Sequence, residues 1–306
     1  MPTYADPIQY PLAAPTVSGT TYTVDFLLNN PTRITRVVND LTLSSFFLND
    51  IFTMGGGVEG GAILYDQATT LDTYTDRDVE RIEPGREAPI VGGIRVAPLV
   101  AQVEKYGGKF VMTAEAIRRN DMGRMRNQMR RLANTITRKM NQRGLAELAA
   151  NVTTFSRTAS GVSWADALAL TMTTQAANNV PAFDFASVLT ANEQLEMGYE
   201  YDTLIINPSD ALNLRAIYGT NLSAVLRDFG ITNLISTPRK TATSAYFLAS
   251  GAVGEIRLEE PLRTVVAEET RSAPTLIEQT WVQSLVNPVM VVTDPYAILE
   301  VTGLTA

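Results

Sequence analysis

The longest periodic pattern of the chain lies over residues 113–150. Met122, Met125, Met129, Leu132, Ile136 and Met140 recur at three- and four-residue spacing and predict one apolar face of a long helix. Thr113 is the expected N-cap, and Glu115 suits the positive end of such a helix. Gly123 and Gly144 each weaken a helix by ~1 kcal/mol relative to Ala, which predicts bends there. A second helical pattern runs from 31 to 52 through Ile34, Val37, Val38, Leu41, Phe46, Phe47, Leu48 and Ile51. Residues 1–30 are rich in Pro, Thr and Tyr, have little helical period and predict an extended arm.

Residues 62–97 predict a two-stranded excursion. Ala62 to Tyr65 reads as one strand, and Val79, Arg81, Ile82, Ile90, Val91, Ile94 and Val96 as the return. Its middle, 72–78, is highly polar, and Pro84-Gly85 and Gly92-Gly93 mark turns. So long and polar a loop is usually functional, and reaching a neighbour is the expected use. Residues 99–111 alternate as a strand with Gly107-Gly108 as a turn or bulge. Beyond a loop at 151–165, helices are expected over 164–177 and 185–197. A buried strand follows at 203–208, and Ser209 or Asp210 caps the next helix. Strands are expected at 231–235, 245–248, 256–258, 264–266, 281–286 and 289–292. The order is α+β, with no βαβ repeat, no internal repeat and no low-complexity segment.

Charge sharpens this picture. Between Arg118 and Arg143 there are nine basic residues and one acid, Asp121, a net +8; the whole chain of 306 residues is −7, so the remainder carries −15. Arg124, Arg131 and Arg138 flank one edge of the apolar face, and Arg119, Arg126 and Arg130 the other, with Arg118 and Lys139 adding to the run. A cationic rod in an anionic protein faces something negative, and three readings stay open. The face is solvated with local counter-charges, it pairs with an acidic loop of a neighbouring subunit, or it touches nucleic acid. Aromatic residues are not interleaved with the basic ones, which argues against a single-strand stacking platform.

The chain has no Cys and no His, which removes thiolate chemistry, disulfides, the usual general base and the commonest zinc ligand. No cofactor, metal or catalytic residue is expected. No apolar run reaches ~18 residues, so no membrane partner is expected, and the first residues lack the pattern of a signal peptide. A cytoplasmic site of synthesis is the reading.

The glycines Gly55, Gly56, Gly57, Gly60 and Gly61 are not followed by Lys-Ser/Thr, so a hinge is expected and not a phosphate loop. The acids Asp72, Asp76, Asp78, Glu80, Glu83 and Glu87 invite a divalent-cation reading. Their spacing does not match an EF-hand, and Arg77, Arg81 and Arg86 are interleaved, so mixed-sign surface charge is the better account. Glu259-Glu260 and Glu268-Glu269 read as solvated or interface acids before acid–base pairs.

The order of these elements resembles a known family. The arm ending in Asp40–Phe52, the loop from Tyr65-Asp66 to Glu87-Ala88-Pro89, and the run from Val103 through Tyr106-Gly107-Gly108-Lys109-Phe110 to Glu115 carry the likeness, with 203–213 as a central strand and helix. They resemble the major capsid proteins of tailed bacteriophages, with the HK97-like fold, and look most like those of actinobacterial siphophages. The resemblance implies an N-terminal arm over 1–52 and an E-loop over 53–98. It implies a peripheral domain with a long spine helix over 99–165, an axial domain over 166–270, and C-terminal strands over 271–306 completing both.

It also implies self-assembly into hexamers and pentamers of an icosahedral head, formed in the host cytoplasm, that encloses double-stranded DNA. The E-loop of one subunit would lie over the peripheral domain of the next, so Asp72, Asp76, Arg77, Asp78, Glu80, Arg81, Glu83 and Glu87 would meet Arg118, Arg119, Arg124, Arg126, Arg130, Arg131 and Arg138 across subunits. Non-specific contact with packaged DNA, a portal, a separate scaffolding protein and a possible decoration protein complete the expected partners. Some relatives carry a fused scaffolding segment, for which the arm beginning near Met1 leaves no room. Others weld subunits through a Lys in the E-loop. Here the lysines are Lys105, Lys109, Lys139 and Lys240 alone, so no such crosslink is expected. The competing readings are an encapsulin-type compartment shell, a carboxylate-based hydrolase and a soluble DNA-binding protein.

Overall fold

The computed structural model describes residues 23–43, 46–69, 75, 77–92, 96–169, 180–271 and 277–304. The chain divides into two compact units. The first comprises 1–46, 103–141 and 258–288, and the second 47–102, 142–257 and 289–306.

The first unit begins at Thr23, whose hydroxyl accepts from the Phe26 amide and caps α1 (Val24–Leu28). The extended reading therefore ends earlier than expected: Val24, Leu27 and Leu28 have i, i+3, i+4 spacing and all three are buried. Residues 1–22 of the expected arm lie outside the described residues. The helix α2 (Pro31–Leu43) starts on a proline and buries Ile34 and Val38.

The long helix is real but interrupted. Thr113 caps α3 (Ala114–Arg118) as expected. Asn120 then adopts φ 53, and its side chain accepts from the Val24 amide at 2.8 Å. Asp121 accepts from the Arg124 amide at 2.9 Å and opens α4 (Met122–Thr154). The break thus falls where an Asn tolerates the left-handed region, and not at either glycine. Met125, Met129, Ile136 and Met140 are buried and Met122 and Leu132 half-buried, so the apolar stripe is core.

Strand β4 (Tyr106–Thr113) pairs antiparallel with part of β10 (Ile277–Val292), with Gly107 opposite Leu285 and Gly108 opposite Ser284. Those glycines sit inside a strand, and not at the turn or bulge expected. A Cβ on Gly108 would lie 2.8 Å from Leu132 Cδ1, so the residue is small because the helix lies close. Phe110, Met112, Met125, Met129, Ala133 and Val282 meet α1 and α2 in one apolar cluster. Pro261 and Pro288 made the last third of the chain read as short strands. They instead lie within β9 (Gly254–Arg271) and β10, and the Pro288 carbonyl still accepts from the Glu104 amide at 3.1 Å. A proline removes one donor from a strand and leaves its acceptor.

In the second unit, β1 (Thr53–Gly57) and β9 are neighbours in a sheet of order β1-β9-β10-β4. A separate ribbon joins β2 (Ala62–Tyr65) and β3 (Leu99–Gln102). A five-stranded sheet holds β5 (Thr158–Ser160), β6 (Thr203–Ile206), β7 (Asn233–Ser236), β8 (Ser244–Leu248) and β11 (Ile298–Thr302), in the order β5-β11-β8-β6-β7. β6 and β7 are parallel and connected through α7 (Pro208–Tyr218) and α8 (Leu222–Asp228), a single βαβ unit and no repeat. Leu204, Ile205 and Ile206 are wholly buried, as a central strand requires. Asn207, not Ser209 or Asp210, caps α7 by accepting from the Ser209 amide at 3.0 Å. The helix α5 (Trp164–Ala169) has Trp164 donating to buried Asp184 at 2.8 Å. Asp184 lies on α6 (Pro181–Glu193), which starts four residues before the expected 185 because Pro181 opens it.

Two predictions arise here. Gly144 is buried against Leu48, onto whose side chain a Cβ would project, whereas Gly123 has only Asp121 Oδ1 nearby, at 3.6 Å. Gly144→Ala gains ~1 kcal/mol of helix propensity but overpacks Leu48 at ~1–3 kcal/mol, so it destabilises on balance. Gly123→Ala has only the gain and stabilises by up to ~1 kcal/mol. Urea denaturation of both variants checks the opposite signs; a stabilised Gly144→Ala would show that Leu48 yields freely.

The second concerns Asp210. It is fully buried in the first turn of α7, and burial pushes its carboxyl up to about 6, the Ser209 hydrogen bond offsetting only part of this. The folded chain therefore binds this proton more tightly than the unfolded chain. Stability from this group is full below pH ~4 and falls as pH rises through about 6. The span corresponds to roughly 2–3 kcal/mol at most. Asp210→Asn removes the fall, and unfolding curves at intervals from pH 4 to 7 read it directly. A wild-type to variant difference that stays constant over that window would contradict the burial cost.

Candidate functional site

Two surfaces carry the residues singled out from the sequence. The first is the basic run. Arg118, Arg119, Arg124, Arg126, Arg130, Arg131 and Arg138 are all exposed, as is Lys139. Arg118 and Arg119 end α3, so the break at Asn120 separates them from the others. From Arg124 to Arg138, α4 advances about 21 Å. Among the described residues, no ion pair engages Arg119, Arg124, Arg126, Arg130, Arg131, Arg138 or Lys139. Arg143 differs: it is half-buried in the second unit and bonded to Glu147 at 2.6 Å. Local counter-charges therefore account for Arg143 and leave most of the basic face unneutralised within the subunit.

The second surface is the loop. The ribbon of β2 and β3 forms its base, and Gln67 anchors it by donating to Asn151 at 2.7 Å and to the Val292 carbonyl at 3.1 Å. The Ala68 amide donates to the Thr293 carbonyl at 2.8 Å. Beyond that root the described residues 77–92 form no strand, so the two-stranded part is four residues long on each side and not the long ribbon expected. Arg77, Asp78, Glu80, Arg81, Glu83 and Glu87 are exposed along it; Asp72 and Asp76 lie outside the described residues. Pro84-Gly85 makes the expected turn. Gly85 has φ +88 and the Arg86 amide donates to the Glu83 carbonyl at 3.1 Å, the geometry that needs glycine after proline.

The glycines expected as a hinge fall in two places. Gly55, Gly56 and Gly57 continue β1, where a Cβ on Gly55 would sit 2.5 Å from Glu255 Oε2. Gly60 and Gly61, at φ +80 and +77, turn the chain into β2.

Charge was the signal read from the sequence; the apolar residues of the loop were missed as contact groups. Leu64, Val79, Ile82, Ile90, Val96, Leu99 and Val100 are exposed large hydrophobics, with Ile90 92% and Val79 76% accessible. Seven such residues in one excursion form a surface that water disfavours. Burying one is worth ~1.5–3 kcal/mol, against ~0–1 kcal/mol for an exposed ion pair. Apolar contact therefore supplies most of any docking energy here, and the charges set register. The alternation of Val79, Ile82 and Ile90 with acids was the available sign. Elsewhere Glu260 pairs with Arg263 at 2.9 Å and Glu259 accepts from Asn287 at 3.3 Å, so these two carboxylates are engaged and do not converge on a site. Among the described residues no helix is long and apolar enough to cross a membrane.

Comparison with known proteins gives this arrangement a context. No characterised protein matches the chain by sequence alone. Its fold is that of HK97-like capsid proteins. It is similar to a virus-like particle from Pyrococcus furiosus at 13% identity, covering 88% of this chain and 98% of that one with a TM-score of 0.56. The capsid of Myoviridae phage XM1 is similar at 14% identity, with 84% and 91% covered and a TM-score of 0.55. A structure from Mycobacterium phage Bobi is similar at 11% identity, with 99% and 95% covered and a TM-score of 0.54. A profile of phage capsid proteins matches residues 96–301, from the end of the loop through both units, and the chain belongs to that family.

Proposed function

We propose that the chain is the major capsid subunit of a tailed phage, assembling as hexamers and pentamers into an icosahedral head around double-stranded DNA. The observation that carries this reading is the loop at 64–100, which leaves seven large apolar side chains in water on a subunit of the capsid family. In the assembly it lies over the first unit of a neighbour, with Glu80, Glu83 and Glu87 facing arginines of α4 and with Val79, Ile82 and Ile90 buried. The role is structural. A separate scaffolding protein and a portal are the partners required to size and open the head; decoration proteins are an optional addition.

The second reading is a compartment shell of encapsulin type, supported by the likeness to the Pyrococcus furiosus virus-like particle. Cargo separates the two. Particles made with the neighbouring genes are expected to protect double-stranded DNA from nuclease; a co-purifying enzyme without nucleic acid would replace the head with the compartment.

Covalent welding between subunits is not expected. Residues 53–98 contain no lysine, and Lys240 is buried and bonded to Glu300 at 2.6 Å over the Tyr246 ring. Assembled particles boiled in detergent should run as a single band near 33.3 kDa. A ladder of multiples would overturn this.

A further inference from the structure

A groove of about 620 Å³ opens in the first unit between α2 and the start of α4. Val37, Met122 and Met129 form its apolar floor, and Arg33, Arg36 and Arg126 stand around it. Among the described residues that line it there is no carboxylate. The volume lies within the range of clefts that hold ligands.

The electrostatics are one-sided twice over. Arg33 and Arg36 occupy the first two turns of α2, and Arg126 the second turn of α4, near helix ends that carry the positive pole of the dipole. Neither first turn contains an acid. Cations placed there oppose the dipole, an arrangement that an anion entering from outside relieves. An anion alone does not explain the floor: Val37 is 40% exposed, and phosphates gain nothing from apolar contact. The combination fits a segment with large apolar side chains on one face and carboxylates beside them. The protein's own loop at 77–92 is a poor match, because Arg77, Arg81 and Arg86 would meet the groove's arginines.

We infer that this groove docks an acidic amphipathic helix of a separate protein. The inference rests on the capsid reading only for the partner's role, which is to hold subunits during assembly. The groove itself is tested without assembly. The recognition mode is helix-in-groove, with anchors at i, i+3, i+4 and i+7.

The probe is a fluorescent peptide of about 16 residues built from Leu, Ala and Glu with Leu at those positions, titrated with the full-length subunit and read by anisotropy. Saturable binding is expected. Arg36→Glu with Arg126→Glu weakens it by about tenfold or more, and Arg138→Glu leaves it unchanged. Val37→Asp, which leaves the arginines in place, weakens it as well. A peptide with Lys for Glu does not bind. The inference falls if the acidic peptide fails to bind wild type, or binds the double variant equally. It also falls if a DNA duplex of equal charge displaces the peptide, which would make the groove a phosphate surface. Loss of self-association in the double variant without any peptide binding would assign the groove to a second copy and overturn it too. Shell formation, scored separately by electron microscopy, tells failure of the groove from failure of the capsid reading.

Discussion

Replacing residues 75–92 by a short Gly-Ser linker leaves the subunit folded and abolishes assembly. Nearly all the described residues of that stretch are exposed, so their removal takes little from the folded state. The root survives: β2 still pairs β3, and Gln67 and Ala68 keep their bonds to Asn151, Val292 and Thr293. What is lost is Val79, Ile82 and Ile90, each worth ~1.5–3 kcal/mol when fully buried. Ordering the loop on a neighbour takes back part of this. If half survives, roughly 2–4 kcal/mol per subunit disappears, a thirtyfold to thousandfold rise in the concentration needed for assembly. Thermal melting by circular dichroism and light scattering read the two effects separately. A melting point within a few degrees of wild type with no particles is expected. Normal particles would remove the loop from the account.

Reversing Arg124, Arg126 and Arg130 to Glu has the second large effect. All three are exposed and none is ion-paired in the subunit, so folding is unaffected. Opposite carboxylates, each reversal exchanges an attraction of ~0–1 kcal/mol for a comparable repulsion. Three together amount to ~3 kcal/mol, or roughly a hundredfold in assembly concentration. Salt then identifies the cause: it weakens wild-type assembly and rescues the variant, because both terms are screened within ~10 Å at 0.1 M. The same variant distinguishes the other readings of this face. Unchanged assembly and unchanged packaging mean a solvated face. Normal empty shells with reduced DNA content mean contact with the genome. Only assembly that fails at low salt supports pairing across subunits.

The order of elements was legible because it rests on period. The stripe from Met122 to Met140 is helical at 3.6 residues, and the fully apolar run of β6 is a central strand. Boundaries were less legible where a single residue decides them. Nothing in the sequence of Asn120 announces that it takes φ 53, since an Asn within a strong helical pattern is ordinary; the Val24 amide that its side chain serves lies 96 residues away. The glycines misled for a related reason. Gly107, Gly108 and Gly144 look like turns or bends locally, yet each is small to let Leu285, Leu132 or Leu48 approach. Prolines 261 and 288 split the long strands on paper, although the sheet continues through their carbonyls.

The basic face was readable in full, because a net +8 run in an acidic chain needs no structure to be seen. The groove beside α2 was not, because Arg33 and Arg36 are far in sequence from Arg126 and only tertiary packing brings them together. The apolar half of the loop was in plain view but was read as strand, since Val and Ile favour strands and exposure cannot be inferred from them.

The most direct test of the central claim is electron cryo-microscopy of the purified protein expressed alone and with its neighbouring genes. The account predicts closed shells of hexamers and pentamers, with the loop from residue 66 to 98 of one subunit lying on the first unit of the next and Val79, Ile82 and Ile90 covered. A protein that stays monomeric under both conditions, or shells in which that loop extends into solvent, would contradict it.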